Sequence, residues 1–98
     1  MLNKEINGLL GLANISKNII TGEKVIETIR NQRAKLIIIA EDASDNTKKK
    51  YQDKCSYYNI PYMSIGTVDE LSHAIGKNNR VVLAIMDANF AKKILEKG

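Results

Sequence analysis

An uninterrupted apolar run at residues 36–40, Leu-Ile-Ile-Ile-Ala, constrains the fold of this chain more than any other feature. The run is continuous rather than alternating, which is typical of a strand that helices cover on both faces. The segment before it carries Val25, Ile26 and Ile29 at helical spacing, so it predicts a short amphipathic helix with these side chains inward. A helix that leads into a doubly covered strand indicates a layered α/β fold with residues 36–40 in the middle of the sheet.

Helix and strand patterns alternate along the rest of the 98 residues. Helices are predicted to begin near residues 3, 21, 44, 67 and 87, and strands to cover residues 16–20, 36–40, 62–65 and 81–86. We expect the first strand to be an edge strand and the third to be a core strand. The pattern predicts a single domain, residues 1–98, with an α/β fold: a three-layer α/β/α sandwich with a mixed four-stranded sheet and about five helices.

Helical spacing also assigns side chains to the core. Cys55 is predicted to be a small core residue, because a nucleophilic cysteine would need a positioned base that the sequence does not show. His73 is predicted to lie on the exposed side of the fourth helix. The side chains predicted on the buried faces of the third and fifth helices are Thr47, Tyr51, Cys55 and Tyr58, and Phe90, Ile94 and Leu95.

Charge and composition limit the classes of function. The chain has 15 Lys and Arg against 11 Asp and Glu, a formal charge of +4, which mildly favours an anionic partner. A single cysteine excludes an internal disulfide and a cysteine-based zinc cluster, so we expect a reducing cytoplasm. We expect neither a signal peptide nor a membrane span, since no apolar run approaches the ~20 residues that a span needs.

The turn that opens the second helix is the first candidate site. A helix N-terminus carries unpaired N–H groups and a partial positive charge, so Thr21, Gly22 and Glu23 could present amides to a phosphate or a base edge. Lys24 would add a mobile cation, and Lys17 is expected to lie next to this helix start. The spacing alone is also satisfied if Thr21 caps the helix and Lys24 is solvated.

Other polar groups give weaker signals. Glu41 and Asp42 follow the apolar run at a position where open α/β sheets hold ligands, but we interpret them as a polar end to the strand, because no third metal ligand is evident. The lysines at 48–50, with Lys54, are interpreted as a solvated helix face that adds at most non-specific attraction to phosphate. The sequence contains no phosphate-binding glycine loop and no recognisable catalytic set, so neither catalysis nor a cofactor or metal is predicted.

Several separated segments resemble one family, the kink-turn-binding superfamily of ribosomal proteins that contains L7Ae and L30e. The segments that carry the resemblance are Thr-Gly-Glu at 21–23, Ala-Lys-Leu-Ile-Ile-Ile-Ala-Glu-Asp at 34–42, Asn-Ile-Pro-Tyr at 59–62 and Glu-Leu-Ser-His-Ala-Ile-Gly at 70–76. Residues 42–50 and 53–59 are most similar to its small bacterial YlxQ-type branch. Ser72 stands where the family usually has glycine, which we interpret as a tolerable change within a helix.

The resemblance implies a function as well as a fold. It implies a non-catalytic ribosomal or ribosome-associated protein that binds a sharply bent RNA internal loop with tandem G·A pairs. The expected partner is structured RNA of the kink-turn type, with ribosomal RNA as one candidate and with no DNA and no membrane, and the protein is expected to be a cytoplasmic monomer. The positions implied as RNA contacts are Lys17, Thr21, Gly22, Glu23, Lys24, Lys35, Lys77, Asn78, Asn79, Arg80 and Val81.

Two other classes of function remain open at this point. The same fold would serve as a protein–protein interaction module for which RNA is incidental, as it does in several relatives of the superfamily. An enzyme would require Glu41, Asp42 and a basic residue to gather around a substrate that contains phosphate.

Overall fold

Polar caps and apolar runs set the bounds of the helices and strands. The computed structural model describes residues 2–98, so Met1 of the predicted domain lies outside the described residues. The side chains of Asn3, Ser44, Thr67 and Asp87 each accept a backbone N–H in the first turn of a helix. The elements in chain order are α1 (Lys4–Ile15), β1 (Ile19–Thr21), α2 (Lys24–Arg30), β2 (Leu36–Ile39), α3 (Asp45–Tyr58), β3 (Tyr62–Ser64), α4 (Val68–Ala74), β4 (Val82–Ile85) and α5 (Ala88–Lys97).

The four strands form one mixed sheet in the order β1-β4-β2-β3. Strand β4 is antiparallel to both of its neighbours, whereas β2 and β3 are parallel. The two central strands, β2 and β4, are buried along their whole length, as the continuous apolar run predicts. The expected mixed four-stranded sheet, with residues 36–40 in its middle, is therefore confirmed.

Helices cover both faces of this sheet. Helix α1 packs against α4 and α5, and α2 packs against α3, which gives one helical layer on each side. The largest fully buried side chains come from the sheet and from the inward stripes of the helices, among them Leu10, Ile29, Leu71 and Ile94. The predicted α/β/α sandwich and its five helices are confirmed.

Three local predictions are wrong. Residues 62–64 form an edge strand, not a core strand: β3 pairs only with β2, and Tyr62 and Ser64 are exposed. Thr21 does not cap α2, because it is the last residue of β1, and the cap position is held by Glu23 without a side-chain hydrogen bond. Leu95 is 45% exposed, since the inward stripe of α5 is completed by Ala91 and Ile94 instead.

The faces of α2 and α3 are buried less than their spacing predicts. Cys55 is fully buried, as expected, but the other predicted core residues of α3, Thr47, Tyr51 and Tyr58, are only half-buried. Ile26 of α2 is also only half-buried. Ile26, Thr47 and Tyr51 line a cleft that opens to solvent, and Tyr58 lines a second one.

Candidate nucleic-acid interface

The directions of three strands determine which loops can meet. Because β1 and β2 are both antiparallel to β4, their carboxyl ends lie beside the amino end of β4. Thr21 pairs with Leu83, and the N–H of Ala40 donates to the carbonyl of Val81 at 2.9 Å. The turn after β1 and the loop before β4 therefore lie at the same end of the sheet.

The turn and the loop line one cleft of about 400 Å³, which we call the turn-loop cleft. From the turn it includes Gly22 and Glu23, and from the loop Asn79, Arg80 and Val81. Gly22 adopts a left-handed backbone with φ of 77°, which a residue without a Cβ adopts at little cost. Five of the residues predicted as RNA contacts are thus brought together at one place.

Arg80 connects the two segments of this cleft. A Cβ added at Gly22 would lie 3.9 Å from Nη1 of Arg80, so the guanidinium lies against the turn. Its Nε is buried and has no hydrogen-bond partner within residues 2–98. Buried polar groups are nearly always paired, so this unpaired N–H beside an open cleft marks Arg80 as a candidate ligand contact.

Helix α4 holds the loop that carries Arg80. The hydroxyl of Ser72 accepts the backbone N–H of Arg80 at 2.8 Å, and the Ser72 carbonyl accepts the N–H of Lys77 at 2.9 Å. Ser72 itself is only 4% exposed. The serine that sequence reasoning treated as a tolerable replacement for glycine therefore fixes both ends of the loop.

The cleft has a third wall that sequence reasoning missed. Thr47, Lys50 and Tyr51 of α3 line it together with Ile26 of α2. Nζ of Lys50 lies 5.7 Å from the centroid of the Tyr51 ring, within the range of a cation–π contact, and partial burial raises the pKa of Tyr51. The sequence shows the lysine and the tyrosine side by side, but only the packing of α3 on α2 brings the pair to the cleft.

Sequence comparison identifies the group of proteins to which this fold belongs. The chain matches the description "Ribosomal protein L7Ae/L30e/S12e/Gadd45 family" over residues 4–96. The chain belongs to this family. It is 50% identical over 88 residues to the RNA-binding protein YlxQ of Bacillus subtilis (strain 168), covering 89% of this chain and 88% of that protein. It is 47% identical over 89 residues to the RNA-binding protein YlxQ of Enterococcus faecium, covering 90% of this chain and 85% of that protein.

Two solved structures share the fold. A protein of unknown function from Bacillus halodurans C superposes with a TM-score of 0.92 at 39% identity, covering 96% of each chain. The 15.5kD RNA binding protein of Giardia lamblia superposes with a TM-score of 0.80 at 23% identity, covering 99% of this chain and 90% of that one. At that identity the second likeness concerns the fold alone.

Two predicted contacts lie at the other end of the sheet in this member of the L7Ae/L30e/S12e/Gadd45 family. Lys17 precedes β1, next to Asn18, whose carbonyl accepts the N–H of Met86 after β4. Lys35 precedes β2, and its backbone N–H donates to the carbonyl of Ile85 at 2.8 Å. The prediction that Lys17 lies next to the start of α2 is wrong, because β1 separates the two. At about 3.3 Å per strand residue, Lys35 lies roughly 13 Å from the cleft end of β2.

The remaining predicted contacts surround the turn-loop cleft without lining it. Thr21 is half-buried at the end of β1, directly before Gly22. Lys77 and Asn78 are exposed at the start of the loop. Lys24 is exposed and lines a separate groove with Glu27, Arg33 and other residues. These side chains could reach a large ligand that extends beyond the cleft.

The two acidic residues after β2 make structural hydrogen bonds. Oδ1 of Asp42 accepts the backbone N–H of Val68 at 2.9 Å and so connects β2 to the start of α4, not to α3. The backbone N–H of Glu41 donates to the carbonyl of Gly66 at 2.7 Å. Within residues 2–98, no group of three His, Cys, Asp or Glu side chains is arranged to hold a metal ion. No helix in that range is long and apolar enough to cross a membrane.

Proposed function

We propose that residues 1–98 act as a single, non-catalytic RNA-binding domain that recognises kink-turn-like structured RNA through the turn-loop cleft. One observation carries this proposal: Gly22 and Glu23 meet Asn79, Arg80 and Val81 in a cleft whose buried guanidinium N–H is unpaired. Membership of the L7Ae/L30e/S12e/Gadd45 family supports it, and two relatives about half identical to this chain are named RNA-binding proteins.

Each wall of the cleft suits a different part of a bent RNA loop. The guanidinium of Arg80 can donate to guanine O6 and N7 or to a phosphate. Val81 is a half-buried apolar side chain on which a base turned out of the helix can pack. Lys50 supplies a cation for a phosphate, and the Glu23 carboxylate can accept from a base amino group.

The proposal extends to the partner and the setting. A sharply bent RNA internal loop presents extruded bases and 2′-hydroxyls together, which regular DNA does not. The target class is therefore ribosomal or regulatory RNA rather than DNA. We propose that the protein works as a monomer in the cytoplasm, associated with the ribosome or its RNA.

A binding titration with paired RNAs tests the proposal. A hairpin that contains a kink-turn should bind at least tenfold more tightly than the same hairpin with its tandem G·A pairs replaced by Watson–Crick pairs. Equal binding of the two RNAs would refute recognition of the kink-turn. If all RNAs bind weakly and the protein retains a stable protein partner in a pull-down, the fold serves as a protein–protein module instead.

A pair of arginine variants locates the contact. Arg80→Gln removes the guanidinium but keeps the backbone N–H that Ser72 accepts, so the loop should stay folded. Loss of one charge-assisted hydrogen bond lowers the binding free energy by about 1.5–3 kcal/mol, which corresponds to a loss of roughly tenfold or more in affinity. Arg33→Gln, an exposed change outside the cleft, is the matched control. If both variants weaken binding equally, the contact is non-specific and the cleft is not the site.

A further inference from the structure

A stripe of aromatic and basic side chains runs along α3 beyond the turn-loop cleft. Lys50, Asp53, Lys54, Tyr57 and Tyr58 line a second cleft of about 540 Å³ on the protein surface. Their spacing of three and four residues places them on one side of the helix, and we call them the α3 stripe. Sequence reasoning interpreted Lys50 and Lys54 only as a solvated face.

The two clefts share one residue. Lys50 lines both the turn-loop cleft and the α3 stripe, so a ligand held in the first can continue into the second without leaving the surface. Helix α3 rises about 1.5 Å per residue, so Lys50 and Tyr57 are separated by roughly 10 Å along its axis. That length accommodates about three nucleotides at the ~3.4 Å rise per nucleotide of a helical strand.

The fold buries little of the Tyr57 side chain. It is 78% exposed, the same value as Ile15 and the highest among the large apolar and aromatic side chains of residues 2–98. Its ring stands edge-to-face against Tyr58, with centroids 4.8 Å apart and the planes at 79°. Tyr58 is half-buried and packs against the core, so it supports the exposed ring from one side. The contact with Tyr58 thereby holds the Tyr57 ring in position while the ring remains largely in water.

The charge of the surroundings favours an anionic strand as the occupant. Helix α3 carries four lysines against two aspartates, a net charge of +2, which is half of the formal charge of the chain. Asp53 is the one acidic residue of the α3 stripe, and it lies between two lysines of that stripe. A supported aromatic ring flanked by lysines is the arrangement with which proteins bind single-stranded nucleic acid by base stacking and phosphate contacts.

We infer that the α3 stripe binds an unpaired RNA strand that continues from the structured RNA held in the turn-loop cleft, with one base stacked on Tyr57 and phosphates beside Lys50 and Lys54. This inference rests on the proposed function, because it takes the structured RNA as the source of the strand. Stacking on an exposed ring requires a base that is not paired, so the segment is single-stranded rather than duplex. Stacking is sequence-tolerant, so this contact adds affinity without selecting a sequence.

Three RNAs and substitutions at one tyrosine test the inference. The probes are a kink-turn hairpin with blunt ends and the same hairpin with four unpaired adenosines added at its 3′ or its 5′ end. The protein should bind one of the extended hairpins at least fivefold more tightly than the blunt one, since a stacked base is worth about 1–3 kcal/mol and an exposed ring lies at the low end. Tyr57→Ala should abolish this difference and leave binding of the blunt hairpin unchanged. Tyr57→Phe should preserve it.

Matched controls separate stacking from general charge. Tyr62→Ala removes an exposed tyrosine that does not line the second cleft and should leave the fivefold difference intact. Lys54→Gln should lower the slope of log affinity against log salt by about 0.7 for the extended hairpin, as expected for one lost phosphate contact to a single strand. Lys92→Gln, on α5, should not change that slope.

The outcomes distinguish this inference from the function on which it rests. If the protein prefers the kink-turn but binds blunt and extended hairpins equally, the α3 stripe does not bind RNA and the proposed function stands. If the extension strengthens binding through Tyr57 while the kink-turn and its Watson–Crick variant bind equally, the stripe binds single strands and the proposed kink-turn recognition is wrong. Failure of both preferences refutes both proposals.

Discussion

Replacing Ser72 with alanine tests whether helix α4 orders the loop of the turn-loop cleft. The Ser72 hydroxyl is almost fully buried and accepts the N–H of Arg80 at 2.8 Å. Removing it leaves that N–H unpaired, which costs about 1–2 kcal/mol because Arg80 is half-buried and water replaces part of the bond. The higher helix propensity of alanine returns up to about 0.5 kcal/mol. The net loss in the free energy of unfolding should be about 1 kcal/mol.

Thermal melting and RNA titration measure the two consequences of this change. For a domain of this size, about 1 kcal/mol lowers Tm by roughly 4–8 °C. A loop that is less ordered before binding must be ordered by the RNA, so affinity for the kink-turn hairpin should fall by up to about fivefold. Ser56→Ala, an exposed serine on α3, is the control and should not lower Tm.

Two results would refute parts of this reasoning. If Ser72→Ala melts at the temperature of the wild type and binds RNA equally well, the hydroxyl does not hold the loop. If the variant loses stability but keeps full affinity, the loop is structural and does not belong to the binding site.

Three further predictions concern the turn, the core and the capping of α4. Gly22→Ala should lower the free energy of unfolding by about 1–2 kcal/mol in denaturant titration, because alanine is strained at a φ of 77°; unchanged stability would contradict the left-handed turn. At pH 8, Cys55 should react with a thiol reagent more than about 100-fold faster in denaturant than in the folded protein, since burial raises its pKa to about 11; comparable rates would mean that the thiol is accessible. The Glu70 carboxylate accepts N–H groups of Leu2 and Thr67, which lower its pKa from about 4.5. Because the folded pKa is depressed, its stabilising effect is present above pH 4.5 and is lost as the pH falls through the folded value, so Tm of Glu70→Gln should depend less on pH between 5 and 3; identical pH dependence would refute this role.

Local features of the fold follow from short-range rules. The apolar run at 36–40 predicted a central strand because every side chain in it must avoid water. The predicted helix start near residue 67 is confirmed as the start of α4, where Thr67 and Glu70 form a capping box whose two hydrogen bonds lie within four residues. Helical spacing likewise predicted that Cys55 is buried. None of these predictions depends on which distant segment lies nearby.

The predictions that were wrong concern neighbours in space. Strand β3 has the apolar content of a core strand, but its position at the edge depends on the sheet order β1-β4-β2-β3. Tyr51 repeats at core spacing, yet it is half-buried because α3 packs on α2 rather than directly over the whole sheet. Hydrophobic periodicity reports which face of an element is apolar and does not report how much of that face another element covers.

The sequence and the tertiary structure also contributed different parts of the candidate site. The resemblance to the kink-turn-binding superfamily implied residues 21–24 and 77–81 as RNA contacts, and the antiparallel pairing of β1 with β4 brings residues 22–23 and 79–81 of these segments together. The same pairing places Lys17 and Lys35 at the far end of the strands, although they seemed equally suitable as cations. Only the packing of α3 added Lys50 to the cleft.

The amino-acid sequence alone thus specified the helices and strands of this protein, which face of each is apolar and where most of the helices begin, because those properties depend on contacts within a few positions along the chain. The tertiary structure specified which polar side chains share a surface. That choice depends on strand direction, sheet order and helix packing, which bring residues together from positions up to about sixty apart in the chain. Nε of Arg80, which has no hydrogen-bond partner within residues 2–98, and the exposed ring of Tyr57 become functional candidates only in that arrangement.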